Sequence, residues 1–248
     1  MKLPKLEGII IFQKGKVLID EKEVKRGDRI NSGKTIYTKE DGKAELQVIV
    51  PKTEIVIRIL ENSKLDFKNE KIENAIQNYV SLKQGSALIN IESAIDKDKI
   101  QFQTPTMAIG VRGTKFDLDV NEAEDSKISL LKGFAECRLR IPEIENLPRK
   151  VINSNVDLKR REDFIKGKKI YLGPGEFLEV KQEQKKNVLK KMGLEKIHNQ
   201  IDESKILEEI SNANLTDISN LENNFKEDIP EIPEKLPPNT ILKELKKY

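Results

Sequence analysis

The sequence predicts a mainly β chain. An antiparallel β-sandwich or β-roll is expected over residues 9–181, followed by an α-helical segment over 182–227 and a proline-rich extended tail over 228–248. Three observations predict it. Short β-favouring runs recur between glycine turns at roughly the 8–12-residue spacing of sandwiches and barrels. Inside those runs apolar residues alternate with polar ones, the two-residue period of a half-buried strand. After Lys181 the apolar residues instead recur three to five apart, and the chain then passes into repeated prolines.

Taken in order, the runs are Lys16–Asp20, Ala44–Val50, Glu54–Leu60, Ala87–Ile91, Ile100–Gln103, Lys115–Val120, Lys127–Leu131, Ala135–Ile141, Lys169–Leu172 and Phe177–Lys181. Glu54-Ile55-Val56-Ile57-Arg58-Ile59 reads as buried on both sides. Lys14-Gly15, Gly27-Asp28, Ser32-Gly33, Asp41-Gly42, Gln84-Gly85, Lys132-Gly133 and Gly173-Pro174-Gly175 read as the turns between them, and Asp41-Gly42 is the strongest hairpin candidate. Residues 142–168, with Pro142 and Pro148, read as an irregular insertion longer than ordinary loops, which marks it as functional or mobile. Leu189, Met192, Ile197, Ile201, Leu207, Ile210, Leu215, Ile218, Leu221 and Phe225 form the helical stripe. Pro230, Pro233, Pro237 and Pro238 make the last segment a linker or docking tail.

Composition narrows the function classes. The 248 residues carry 45 Lys or Arg against 42 Asp or Glu, a formal net charge of +3 over a mixed-sign surface, which disfavours nucleic acid as a partner. Cys137 is the sole cysteine, so neither an internal disulfide nor a multi-cysteine metal site can form, and no cofactor or metal is expected. The longest apolar run, Ile9-Ile10-Ile11-Phe12, is far short of the roughly 18 residues of a spanning helix, so no membrane span is expected in this chain. Met1-Lys2-Leu3-Pro4-Lys5 starts basic but lacks the apolar stretch of roughly 7–15 residues that a leader needs.

Residues 104–118 read Thr-Pro-Thr-Met-Ala-Ile-Gly-Val-Arg-Gly-Thr-Lys-Phe-Asp-Leu. The Thr104-Pro105 pair, and Gly110-Val111-Arg112-Gly113-Thr114 followed by the aromatic Phe116, resemble the signature of the FecR-domain family. Gly15-Lys16-Val17, Gly27-Asp28, Ile36-Tyr37-Thr38, Asp41 to Leu46, Gly85 with Ala87-Leu88, Leu130 to Gly133 and Gly173 to Glu176 follow that family's layout in order, over about residues 9–181. The resemblance implies a FecR-like β domain in the periplasm or cell envelope, with a leader already removed. The family's founding role, relay of an iron-siderophore signal to a sigma factor, is expected only where an upstream membrane segment exists.

Arg112 is expected to tie a loop to the sheet through a buried pair, with partner binding as its alternative. Arg26-Gly27-Asp28 spells an adhesion tripeptide but belongs to a turn the fold requires. His198, the sole histidine, reads as a solvated helix residue, and Cys137 as a small buried apolar group, so no nucleophile-and-base set emerges. The basic cluster Lys159-Arg160-Arg161, near Lys166, Lys168 and Lys169, reads as a solvated loop or an anion-facing surface. Those three residues, with Ile197, Ile201, Leu207 and Ile210 of the stripe, are the candidate partner-binding residues. The expectation is a non-enzymatic envelope protein that binds other envelope proteins, self-association remaining open. The alternatives are a structural subunit of a periplasmic assembly, such as a flagellar sheath or envelope scaffold, and the signal relay.

Overall fold

Three long strands set the architecture, and each changes its inward-facing parity part-way along. The computed structural model describes residues 6–50, 53–72, 75–92, 100–192 and 234–235. Among them, β1 (Glu7–Lys14), β2 (Val17–Ile19), β3 (Lys22–Glu23), β4 (Arg29–Asn31), β5 (Lys34–Thr38), β6 (Lys43–Val50), β7 (Thr53–Ile59) and β8 (Lys64–Ile72) lead into the long β9 (Ala75–Ile91). Then come β10 (Ile100–Gln103), the long β11 (Met107–Val120) and β12 (Ser126–Leu139), and helices α1 (Pro142–Glu145), α2 (Arg149–Ser154) and α3 (Val156–Gly167). The described chain closes with β13 (Lys169–Leu172), β14 (Glu176–Val180), α4 (Gln182–Lys191) and β15 (Glu234–Lys235).

One mixed sheet runs in the order β15-β14-β12-β11-β10-β9-β7-β6-β1-β4, with β13 beside β12, β8 beside β9, β5 beside β8 and β2 between β5 and β3. All described pairings are antiparallel except β9 with β10, so the expected antiparallel sheet contains one parallel step. The first half of β9 pairs with β8 and β10, and its second half with β7 and β11.

The parity changes follow from bulges. On β11 the buried residues are Met107, Ile109 and Val111, then Phe116, Leu118 and Val120; on β12 they are Ile128 and Leu130, then Ala135, Cys137 and Leu139. On β9 they change from Val80 and Leu82 to Ala87, Ile89 and Ile91, across a register shift facing Lys64 and Leu65. Because the strand period is two, one extra residue at each bulge is what keeps both halves' apolar faces on the core. Phe102 and Phe116 meet edge to face in that core, ring centroids 5.2 Å apart.

Several expectations need correction. The Asp41-Gly42 turn joins strands that do not pair, since β5 pairs with β2 and β8 while β6 pairs with β1 and β7. It is stitched instead to the preceding loop, Lys39 N–H donating to the Lys16 carbonyl at 3.0 Å and Gly42 N–H to the Lys39 carbonyl at 2.9 Å. β7 buries only Ile55, Ile57 and Ile59; the other face carries half-buried Val56 and an Arg58–Glu45 ion pair at 2.6 Å. Gly85 and Gly133 lie within β9 and β12 rather than between strands.

The 142–168 insertion is helical, not irregular. Its prolines start helices instead of breaking them: Pro142 sits in the first turn of α1 and Pro148 is the N-cap of α2. Asn155 caps α3, its side chain accepting from the Leu158 N–H at 2.9 Å. Ile144, Leu147, Val151, Ile152, Leu158 and Ile165 join the core. Beyond it, α4 buries Val188 and Leu189, Met192 follows buried at its C-cap, and Lys185 ties the helix to Glu143 of α1 at 3.0 Å. The rest of the expected helical segment lies outside the described residues, as does the proline-rich tail except for β15, whose Glu234 and Lys235 pair with Phe177 and Glu176 of β14.

Candidate functional site: the bulge block and a polar cleft

The Thr104–Phe116 block is mostly architecture. Thr104 and Met107 close the turn between β10 and β11, Thr104 N–H donating to the Met107 carbonyl and Met107 N–H to Thr104 Oγ1, both at 2.9 Å. Pro105 occupies the second position of that turn, which its ring pre-orders. Thr106 Oγ1 donates to the Val180 carbonyl at 3.2 Å, and Arg140 Nη1 to the Thr104 carbonyl at 3.1 Å, so the turn is held by β14 and by the end of β12.

Val111-Arg112-Gly113-Thr114 is a bulge inside a continuous ladder, not a loop. Arg112 pairs with Phe134 and Lys115 with Lys132, leaving Gly113 and Thr114 opposite Gly133 alone; Phe116 then pairs with Leu130, leaving Leu131 over. The two irregularities have opposite sense and restore the register. Thr114 Oγ1 accepts from the Arg112 N–H and donates to the Phe134 carbonyl, both at 3.1 Å, which satisfies backbone groups the bulge takes out of the ladder. Gly133 has φ +86°, and a Cβ there would collide with the Gly113 carbonyl. Arg112 itself is exposed and makes no buried pair, a correction to its expected role, because bulge geometry keeps it on the outer face opposite Phe134.

That outer face forms a cleft of about 770 Å³, floored by alternate residues of β8 to β12 and walled by the helical insertion. Gln77, Tyr79, Ser81 and Lys83 line it from β9, Gln101 and Gln103 from β10, and Ala108 and Gly110 from β11. Ser81 Oγ donates to Gln103 Oε1 and Gln103 Nε2 to Gln101 Oε1, each at 3.2 Å. Glu145 of α1 accepts from Arg138 at 2.6 Å and Arg140 at 3.0 Å, fixing both guanidinium groups along one wall.

Burial, then the carboxylates of Glu70 and Glu145, push the Tyr79 phenol up to about 12, so it stays a neutral donor and acceptor. Burial and the neighbouring Arg140 charge lower the Lys83 ammonium from its ordinary value, and its acidic neighbour Asp66 stands 3.9 Å away. Burial likewise pushes the Cys137 thiol up to about 12, the opposite of a reactive thiol.

The basic cluster is split by helical phase. Three consecutive helical residues span 200° and cannot share one face, so Lys159 and Arg160 of α3 are exposed while Arg161 is 2% exposed, beside Leu158, Glu162 and Ile165 on the buried side. Arg161 is therefore withdrawn as a partner-binding residue. Ile197, Ile201, Leu207 and Ile210 lie outside the described residues, as does His198. Arg26-Gly27-Asp28 is a turn whose Asp28 carboxylate accepts from the Lys25 N–H at 2.8 Å.

Sequence reasoning missed the cleft, although one signal was present: Leu65 and Phe67 alternate with Lys64, Asp66 and Lys68, and Val80 and Leu82 with Tyr79, Ser81 and Lys83. No helix among the described residues is long and apolar enough to cross a membrane.

Comparison with known proteins agrees with the block. No curated protein matches the chain. Two crystal structures, each of a candidate anti-sigma factor from Parabacteroides distasonis, are similar at 17% identity: one with a TM-score of 0.39 over 59% of this chain and 54% of that one, the other with 0.36 over 58% and 53%. The chain thus spans about half the length of those proteins. The FecR protein family model matches residues 34–136, a shorter span than the expected 9–181, running from β5 into β12 and enclosing the bulge block and most of the cleft floor. Residues 34–136 of this chain therefore match the FecR domain.

Proposed function

We propose that the chain is a non-enzymatic protein–protein interaction module of the periplasm or cell envelope, with the cleft face of its FecR domain as the contact surface. One observation carries this reading. The most recognisable residues of the chain are spent on holding a turn and a bulge, while the opposite face of the same strands is open, polar and continuous with exposed Phe134 and Tyr171. Exposed aromatics beside arginines are the composition of protein-binding surfaces. The ionisable groups of the cleft are also paired with one another, Lys169 with Glu136 and Arg138 with Glu145, which suits recognition better than proton transfer.

A regulatory, signal-relay role of the anti-sigma type is the second reading, supported by the FecR match. Its partner would be a receptor or a sigma-factor system rather than a scaffold.

The test uses the full chain in cells, with a photo-reactive residue at Tyr171 or, as a control, at Glu54 on β7. We expect the protein in the envelope fraction and a discrete cross-linked protein from position 171 only. A cytosolic pool that cross-links nothing from either position overturns the reading. Identification of the cross-linked protein as a receptor or a sigma regulator selects relay over scaffold.

A further inference from the structure

We propose that the cleft binds an extended acidic peptide segment of the partner protein, laid along β9 with its carboxylates toward Lys83, Arg138, Arg140 and Arg149. The inference rests on the interaction-module reading and adds the chemistry of the partner.

Four features point to it. The first is charge: the cleft lining holds eight Lys or Arg against four Asp or Glu. Among the described residues, Lys83 is the least compensated of these cations, being desolvated, close to Arg140, and served by one carboxylate at 3.9 Å. Guanidinium groups pre-oriented on Glu145 present fixed forks of donors, the geometry that acidic-motif readers use for carboxylates.

The second is spacing. Gln77, Tyr79, Ser81 and Lys83 point into the cleft from alternate positions of one strand. Two residues of strand rise about 6.8 Å, which is also the repeat of like-facing side chains in an extended peptide, so the two rows stay in step.

The third is room. A Cβ on Gly110 would meet only the Glu136 carbonyl at 3.9 Å, and Gly110 has no positive φ. The fold does not need glycine there; what its missing side chain provides is depth in the middle of the floor.

The fourth is an apolar landing beyond the charges. Phe134 is 71% and Tyr171 63% exposed, and both lie on the cleft's side of the sheet, Phe134 opposite Arg112 and Tyr171 opposite Glu136. Phe134 has no polar tip, so it suits an apolar side chain of a peptide better than a sugar hydroxyl face, and amide side chains at Gln77 and Gln101 suit a peptide backbone.

The probe is a fluorescein-labelled dodecapeptide of repeating Glu-Thr-Glu-Val, measured by fluorescence anisotropy against the full chain. Its controls are the same peptide with Lys in place of Glu, and an oligogalacturonate as an anionic glycan. We expect the Glu peptide alone to bind, with affinity falling about tenfold between about 50 and 300 mM salt. Gly110→Gln and Lys83→Gln should each weaken it at least about fivefold with an unchanged thermal midpoint, as expected for substitutions that leave core contacts intact. Equal binding of the Glu and Lys peptides, undiminished binding by Gly110→Gln, or tighter binding of the glycan overturns the inference. If the Glu peptide fails while the cross-link from position 171 persists, the acidic-peptide assignment falls and the interaction module stands. Loss of the cross-link defeats the broader reading.

Discussion

The two faces of β11 and β12 behave differently although they share every backbone hydrogen bond. On the core side, Met107, Ile109, Val111, Phe116, Cys137 and Leu139 are almost wholly buried, and Thr114 is 1% exposed between two backbone partners. On the other side, Gly110 and Ala108 leave space, and Arg112 and Phe134 face water. The difference teaches that a block recognised across a family can be recognisable because it solves a folding problem. Here the problem is to change the inward parity of a long strand without losing register, and Gly113-Thr114 against Gly133 solves it. The outer face of the same strands is then free of that constraint.

The most severe way to break this comparison is to delete Gly113. Removing one residue lets β11 run straight with both apolar sets inward, but straight pairing then sets Phe116 opposite Leu131 instead of Leu130 and turns Ile128 and Leu130 of β12 toward water. Each fully buried large apolar side chain contributes about 1.5–3 kcal/mol, so exposing these two removes a large share of a domain's stability. We expect no soluble folded protein. A cooperative urea transition with native near-ultraviolet dichroism would show that the bulge is dispensable.

Next in size is Gly133→Ala. The new Cβ would hold a residue at φ +86° and press on the Gly113 carbonyl. The left-handed backbone costs about 1 kcal/mol and the clash adds to it, so a loss of about 2–3 kcal/mol is expected by urea denaturation. A loss below about 0.5 kcal/mol, the range of an ordinary surface substitution, would mean the two strands separate freely at the bulge.

A smaller effect separates the helical wall from the sheet. Burial raises the Glu162 carboxyl, but hydrogen bonds from Lys166 at 2.7 Å and Arg149 at 2.6 Å, with their charges, outweigh it and leave the group below the usual carboxylate range. With a depressed folded value, the stabilisation is present above the unfolded value and lost as pH falls through the folded one. Glu162→Gln should therefore be less stable than the parent at neutral pH, and the difference should shrink in acid. A constant difference from pH 7 to about pH 3, spanning the ordinary glutamate value, would show that the ion pairs do not brace α2 and α3.

What the sequence disclosed follows the same division between faces. β10 and β13 are legible to the residue as Ile100–Gln103 and Lys169–Leu172, because apolar residues mark them between turn signals. β8 and the first half of β9 were missed because their outer residues, from Asp66 and Lys68 to Gln77 and Lys83, are the polar lining of the cleft, and only Leu65, Phe67, Val80 and Leu82 signal a core side. The strands hardest to read are thus those that build the candidate site. Pro142 and Pro148 misled for another reason: proline stops a helix in its interior but starts one at its first turn, and sequence alone shows no interior until the helix is known. Lys159, Arg160 and Arg161 group together only if neighbours in sequence are neighbours in space, which holds for a loop and fails for α3.

The finest test of the two-face picture asks for almost no effect on stability. Arg112 lies within the block that carries the FecR resemblance, yet its side chain is exposed, and the backbone N–H that Thr114 accepts from survives any substitution except proline. Arg112→Ala should change the urea midpoint stability by less than about 0.5 kcal/mol. If the cleft face continues through Arg112 to Phe134, the same variant should weaken the acidic dodecapeptide, with a smaller salt dependence because one cation has left the surface. A large stability loss would return Arg112 to the architectural side of the strand. An unchanged affinity with unchanged stability would confine the partner surface to the cleft proper and end it at Gly110.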